Sequence, residues 1–587
     1  MEYFLSSLLI INYFSRTKNI IMKNYFLLAL ALLIFTAKAQ DYPQNMAKPL
    51  DIPLLLSGTF GELRGNHFHS GLDIKTKGIE GLKVFSAEKG YVSRIKISHG
   101  GYGKALYITH PNGYTTVYGH LKKFSPRIEK YIKAKQYKKE SYTIQVYPKA
   151  SELVISKKEL IAFSGNTGGS FGAHLHYEIR KTAGAIPHNP MLFGIDIKDT
   201  QKPVVKNVYI YPISDDAQIN QSDDVVQVNL KQKSLGSFTS DPIIAFGKIG
   251  VGVNTYDKQD GSYNWNGVYN IKVRVNGLQT YEHQLEKFSF GETHYINLLL
   301  DYERYIKFKE YNQRLFITPN NKLSIYKNSI NNGFIDINEE KDYLIEIIIS
   351  DFKGNESIIK LPIIGKDVAL IKEVQHEKVT LNYFDKNNVN YITGDNFTAT
   401  FRKNTFYENF YFDFQENDSI ISLHNNTVPV RKSFTINFDV SKYTTAQRKH
   451  MYIAQANKKG NYYFRATKKK GDIFSAKSKA LGNFKLDKDT IKPTVKPFNF
   501  AQGKWLSSYK QLIVKIKDNK SGIKYYRATI NGKWILMEYE SKKGALTYNF
   551  SDNKTISGKQ NLKIIVLDNA ANKVIYNTYF YRKESNK

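Results

Sequence analysis

From about residue 40 onward, apolar and polar positions alternate with a period of two in short runs. KALYITH (104–110), YTTVYGH (114–120) and YNIKVRVNG (269–277) are typical, and Asn, Gly, Asp or Pro closes most such runs. A side chain that changes face at every residue marks a half-buried strand. Tyr (42 residues) and Phe (35) are abundant, and both favour strands. The pattern predicts an all-β chain. A hairpin is expected at His110-Pro111-Asn112-Gly113-Tyr114, with Asn-Gly supplying the positive φ angles of a tight turn. One helix is expected over Ser125–Lys138, with Ser125 as cap and Pro126 in the first turn.

Two segments interrupt or organise this pattern. Lys23 leads into the apolar run Tyr25–Phe35 and then Ala37-Lys38-Ala39, the layout of a secretory signal peptide. The run has 11 residues, too few for the roughly 20 of a spanning helix. The expectation is a signal peptide at 1–39 with Met22 as the true start, and no membrane span after its removal. Further on, Asp199-Thr-Gln-Lys-Pro-Val-Val-Lys206 returns as Asp489-Thr-Ile-Lys-Pro-Thr-Val-Lys496. Each copy later meets an Asp four residues ahead of an Asn, Asp351…Asn355 and Asp568…Asn572. This predicts related β-sandwich domains at 199–366 and 487–587, with a β-rich domain of uncertain type at 367–486 between them. The two resemble the immunoglobulin-like modules of exported bacterial proteins. The first domain is then 40–198, followed by about three β-sandwiches.

Composition changes the picture in two ways. Lys+Arg 85 against Asp+Glu 53 gives +32, a balance suited to nucleic acid, an anionic surface or an acidic polymer. No basic helix, RNA-binding signature or Cys/His finger is present, the lysines are scattered, and export removes nucleic acid as a partner. The charge fits a solvated surface or anionic envelope polymers. Cysteine is absent, which excludes disulfides, thiolate metal sites, thiol nucleophiles and a lipid-bearing N-terminal cysteine. Any metal must be held by His, Asp or Glu.

The histidines concentrate the chemistry. Eight of 13 lie between His67 and His188, and no His/Asp cluster is evident in 199–587. Three segments stand out: Asn66-His67-Phe68-His69-Ser70-Gly71-Leu72-Asp73, Tyr118-Gly119-His120-Leu121, and Gly165-Asn-Thr-Gly-Gly-Ser-Phe-Gly-Ala-His174-Leu-His176-Tyr-Glu178. Positions two or four apart on a strand share a face, so His174/His176 and His69/Asp73 can each aim at one point. Two histidines and an aspartate leave an open position on zinc for water. Taken singly, H-x-H and H-x-x-x-D are as compatible with hydrogen-bonded histidines, and the Gly-rich stretch with a long hairpin. It is no phosphate loop, because no Gly-Lys-Ser/Thr follows. Gly100-Gly101-Tyr102-Gly103 reads as a turn.

Together the segments closely resemble the lysostaphin-type (LytM-like) zinc metallopeptidases that cut peptidoglycan cross-links, over about residues 55–192. H-x-x-x-D, Y-x-H-L and S-G-N-T-G-x-S-x-G-x-H-L-H-x-E occur in that family's order, and Ala87-Glu-Lys-Gly-Tyr-Val92 resembles its A-x-x-G-x-V strand. The resemblance implies one Zn²⁺ per chain on His69, Asp73 and His176, with His120 and His174 as unligated catalytic histidines. It implies a zinc-activated water, His174 as general base and His120 on the oxyanion, with these two roles exchangeable. Glu178 shares the face of His174 and His176 and either orients an imidazole or is a solvated carboxylate. His67 is read as a neighbour of the site. Ala173 stands where proline is frequent. The insert carrying the Ser125–Lys138 helix and Glu140–Pro148 is expected to border the substrate groove. The function implied is an exported, periplasmic or secreted metalloendopeptidase acting on peptidoglycan peptide stems or bridges. The alternative is a non-hydrolytic wall-binding or amidase-activating relative; a third reading makes the β-sandwiches an adhesin or scaffold with the peptidase accessory.

Overall fold

The computed structural model describes residues 42–371, 379–417, 419–552 and 556–583. The expected signal peptide at 1–39 and its start at Met22 lie outside the described residues. None of the described helices is long and apolar enough to cross a membrane.

The first domain is built on an antiparallel sheet of β1 (Leu56–Gly58), β2 (Leu72–Lys75), β3 (Gly90–Ile97), β4 (Lys104–Thr109), β5 (Tyr114–Gly119), β6 (Ile144–Val146) and β7 (His174–Lys181). Their order is β1-β2-β7-β5-β4-β3-β6, so β7 lies between β2 and β5. Alternation sorts its residues: Leu175, Tyr177 and Ile179 enter the core with Leu72 and Ile74, leaving His174, His176 and Glu178 on the opposite face. In register, His176 faces Asp73 on one side and Gly119 on the other.

Two local expectations are refined. In the β4–β5 turn only Gly113 takes a positive φ (83°), and its N–H donates to the His110 carbonyl at 3.2 Å. Pro111 fixes the first corner, so Asn112 stays out of the left-handed region. Helix α1 spans Pro126–Lys139, but the Ser125 side chain makes no cap bond. The Glu129 carboxylate instead accepts the Phe124 N–H at 3.0 Å. The insert does not border the groove described below. Buried Ile128 and Ile132 set α1 against the core, while Lys133 and Tyr137 bond to Asp552 of the last domain at 2.7 and 2.8 Å.

The next sheet includes β8 (Val204–Pro212), β9 (Ile243–Gln259), β10 (Ser262–Asn266), β11 (Asn270–Val275), β12 (Leu278–Gln284), β13 (Asp342–Ser350) and β14 (Glu356–Gly365), with β9 and β14 parallel. Its own core includes Val208, Val251, Ile347 and Leu361. The stretch between β12 and β13 behaves differently: Leu285, Phe288, Ile296, Leu299 and Ile325 belong to the first domain's core. Phe288 stacks on Phe60 at 5.0 Å and lies 5.2 Å from Phe68.

Two further cores follow. The first is phenylalanine-rich (Phe384, Phe401, Phe412, Phe434), enclosed by two five-stranded sheets and a two-stranded one. The second is aliphatic (Leu512, Val514, Ile564, Val566) between two four-stranded sheets. The last domain folds back onto the first: Lys104 Nζ meets Glu538 Oε2 at 2.7 Å, and Trp534 packs edge-on against Tyr137.

Candidate metal centre

The face of β7 turned from the core carries the site. His69 Nε2, Asp73 Oδ1 and His176 Nδ1 form a triangle with sides of 2.8–3.1 Å, and all three residues are buried. Their other polar atoms are committed. His69 donates Nδ1–H to the Thr59 carbonyl at 2.7 Å, and His176 donates Nε2–H to Glu178 at 2.7 Å. Arg64 binds the second oxygen of Asp73 at 2.8 Å. With both imidazoles neutral, the ring nitrogens of His69 and His176 meet as lone pairs, with a carboxylate oxygen as third acceptor. Three acceptors converging on one point fit a cation, and an N/N/O donor set fits zinc. Glu178 is fully buried, bound by Arg180 at 2.5 Å as well as by His176, so it orients the imidazole and is no solvated carboxylate.

His120 and His174 flank the triangle, their rings 4.7 Å apart. His174 donates Nδ1–H to the Gly172 carbonyl at 2.9 Å and holds Nε2 3.5 Å from Asp73 Oδ1. His120 donates Nδ1–H to the Thr167 carbonyl at 2.8 Å. His120 sits in the left-handed region at φ 57°, a strained conformation held by its surroundings. The Gly-rich loop supplies that hold. Thr167 Oγ1 donates to the Leu121 carbonyl and accepts from the Lys104 N–H. At Gly168 (φ 75°) a Cβ would lie 2.3 Å from the Gly101 carbonyl oxygen and the Gly103 nitrogen, so two glycine turns stack backbone on backbone there.

Electrostatics follow from burial and these contacts. Burial opposes charge on Asp73, but the imidazoles around it hold its carboxyl well below the usual range. Burial likewise disfavours a charged His176, yet Asp73 and Glu178 outweigh it and raise the pKa to about 9. A metal bound there displaces a proton. Burial, then repulsion from His176 and His174, pushes His120 down to about 3.

The triangle lies in a groove of about 1310 Å³. One wall belongs to the first domain and includes Tyr102 and Phe171. The other comes from the second domain, with Lys206, Tyr256, Trp265, Phe290 and Lys309. Trp265 stacks on Tyr256, with the Lys206 ammonium 3.6 Å from its ring centre. The motifs foretold His69, Asp73, His120, His174, His176 and Glu178, and the fold brings them together. His67 is exposed at the rim. Tyr102, Arg64 and the second-domain wall went unforeseen. Tyr102 stacks on His176 at 4.7 Å and donates to Glu178, and its signal was an aromatic residue inside a glycine turn. The expectation that 199–587 holds no His/Asp cluster is corrected for its aspartates. Asp199, Asp257 and Asp351 converge, as do Asp489, Asp518 and Asp568, with ligand atoms within 4.8 Å in each group. Strands far apart in sequence bring these residues together.

His69, Asp73 and His176 on paired strands, with His120 and His174 beside them, form a group that could hold a metal ion. Residues 67–137 match peptidase family M23, so the first domain is an M23 peptidase domain. The matched stretch contains His69, Asp73 and His120 and ends before His176, which the fold alone adds. Residues 381–489 match a Zu5-like domain. An uncharacterized metalloprotease of Haemophilus influenzae is 32% identical over 123 residues, 21% of this chain and 20% of that protein. The DD-carboxypeptidase/endopeptidase Mpg of Neisseria meningitidis is 33% identical over 112 residues, 19% of this chain and 20% of that protein. The chain thus spans about a fifth of the length of these curated relatives. Among solved structures, the catalytic domain of the prophage-encoded M23 protein EnpA from Enterococcus faecalis aligns at 21% identity. It covers 26% of this chain and 98% of that one, with a TM-score of 0.19. The lysostaphin catalytic domain from Staphylococcus simulans aligns at 19% identity over 24% and 90% of the two chains, with a TM-score of 0.18.

Proposed function

We propose that the chain is an exported, periplasmic or secreted zinc metalloendopeptidase that hydrolyses peptide cross-links of bacterial peptidoglycan. The observation carrying this reading is the His69–Asp73–His176 triangle with His120 and His174 beside it in one groove. The domain division proposed with it is 40–198, 199–366, 367–486 and 487–587. When bound by His69, Asp73 and His176, zinc supplies Lewis-acid polarisation and a more acidic water.

The chain's own groups do the rest. His174 and His120 each commit Nδ1–H to a backbone carbonyl, leaving Nε2 as the working nitrogen. His174 Nε2, directed at the triad, would take the proton of the attacking water, and His120 would stabilise the developing oxyanion once its Nε2 carries a proton, the two roles being exchangeable. Arg64 and Glu178 hold the ligands in place. Lys206, Lys309 and Trp265 offer the facing wall cations for stem-peptide carboxylates and an aromatic platform.

The test is digestion of purified sacculi by the zinc-loaded full chain, with mass spectrometry of the released muropeptides. New peptide termini in wild type and none with His176→Ala are expected. Sacculus binding without any cleavage would instead favour the non-hydrolytic reading.

A further inference from the structure

We infer that Asp199, Asp257 and Asp351 form a calcium site at the joint between the first and second domains. Each offers a carboxylate oxygen within 4.8 Å of the others. Asp257 and Asp351 are 5% and 4% exposed, and Asp257 Oδ1 has no hydrogen-bond partner. Asp199 is oriented by the Gln201 N–H at 3.0 Å, and Asp351 by the backbone and side-chain N–H groups of Asn355 at 2.9 and 2.7 Å. Lys353, two residues from Asp351, gives its ammonium to Asp196 at 2.9 Å.

A second observation points to a ligand. Asn266 faces Asp257 across the β9–β10 pair, is 3% exposed, and its Oδ1 is also without a partner. Asn266, Asp199 and Asp257 line one cavity of about 30 Å³, the size of a single water or ion. Two orphaned oxygens and converging carboxylates around so small a space call for a cation. Every donor is oxygen, which selects a hard ion. Calcium accepts a full cage of protein oxygens, whereas magnesium holds on to most of its water.

Without a cation the arrangement is costly. Burial, then repulsion from Asp199 and Asp351, drives Asp257 up to about 8. Asp199 is pushed up to about 6, by burial first and by Asp351 and Asp260 as well. The chain nevertheless builds the same arrangement twice. Asp489, Asp518 and Asp568 occupy corresponding places: D-T-x-K-P, D-x-x-x-G and D-x-x-x-N in each domain. Asp518 Oδ1 is likewise without a partner.

The position gives the site a use. Gln259, two residues past Asp257, accepts the Leu56 N–H at 2.8 Å and donates to the Leu54 carbonyl at 3.0 Å. Leu56 opens β1, whose Gly58 pairs with Asp73. Asn266 also lines the groove. A cation here fixes the second-domain wall against the strand next to the metal centre.

The experiment uses the full chain, stripped with a chelating resin, reloaded with zinc alone and titrated with CaCl₂ by calorimetry and thermal unfolding. Asp257→Asn is expected to lose one bound calcium per chain relative to wild type, with a Kd on the order of 10⁻⁴–10⁻³ M. Its calcium-induced rise in Tm should shrink accordingly. If Asp257→Asn does not fold, Asp199→Asn on the more exposed loop carries the comparison. Equal calcium stoichiometry in variant and wild type overturns the site, as does no calcium uptake by wild type at about 10 mM. Magnesium binding there as tightly as calcium overturns the ion assigned.

Discussion

His176 and Glu178 stand two residues apart on one strand, and the imidazole Nε2–H donates to the buried carboxylate at 2.7 Å. Strand periodicity alone puts the proposed metal ligand and its orienting partner on one face. Glu178→Ala is expected to weaken zinc binding by roughly 10–100-fold. Competition with a chromophoric chelator reads this directly. Glu178→Gln keeps an acceptor and should lose less; equal losses in both would mean that shape, not the hydrogen bond, sets the affinity.

Ligands and working histidines should separate cleanly. His176→Ala is expected to lose zinc by elemental analysis. His174→Ala and His120→Ala should keep it and lose about 10²–10⁴-fold in turnover. Full zinc in His176→Ala, or near-normal cleavage in both other variants, would contradict these roles.

Phe288 and its neighbours lie beyond residue 198 in the chain yet sit in the first domain's core. A fragment ending at 198 exposes the Phe60 and Phe68 rings that Phe288 covers. It is expected to aggregate or to bind hydrophobic dye. In the full chain, Phe288→Ala should cost about 3–5 kcal/mol by denaturant unfolding. A soluble, cooperatively unfolding 42–198 fragment would show the two cores to be separable.

The raised Asp257 sets a pH dependence in calcium-free protein. Its folded pKa of about 8 exceeds the unfolded value of roughly 3.9. Between these values the folded state holds the extra proton, so its contribution is complete below about pH 4 and is lost as pH rises through about 8. The slope is at most about 1.4 kcal/mol per pH unit. Chemical denaturation from pH 5 to 8 should show wild type losing stability relative to Asp257→Asn; parallel curves would dismiss the shift.

Lys542 of the last domain reaches the loop that presents His174. Its ammonium donates to the Ser170 carbonyl at 2.7 Å and to Asn166. Ser170 Oγ in turn lies 3.2 Å from His174 Nδ1. Lys542→Ala should leave zinc content unchanged and lower kcat by up to about 10²-fold through a misplaced imidazole. A change in KM alone would argue that the contact serves binding.

What could be read from the chain and what could not divide along physical lines. Strand alternation and the pairs His69/Asp73 and His174/His176 are local, so the all-β class and the convergence of His69, Asp73 and His176 were legible. The Asp-Thr-x-Lys-Pro echo was visible too, but not that Asp199, Asp257 and Asp351 meet in space. Asp199 comes from the loop before β8, Asp257 from β9 and Asp351 from just past the end of β13, and nothing periodic joins them. The same holds for Trp265 in the groove wall and for Asp552 against α1. The insert at 125–148 looked like a groove border because it lies between two motifs. Burial of Ile128 and Ile132 decides otherwise, turning Lys133 and Tyr137 towards the last domain.

Lys104 and Glu538 are separated by 434 residues, yet their ion pair lies beside the strand leading to the site. During synthesis the first domain emerges long before Glu538 and Lys542 exist. Contacts of such sequence separation also form late, because chain entropy must be overcome first. The peptidase loop therefore reaches its braced form only after the last hundred residues have followed it. A chain interrupted between the first domain and those residues carries His69, Asp73, His120, His174 and His176, but not the clasp that holds the loop.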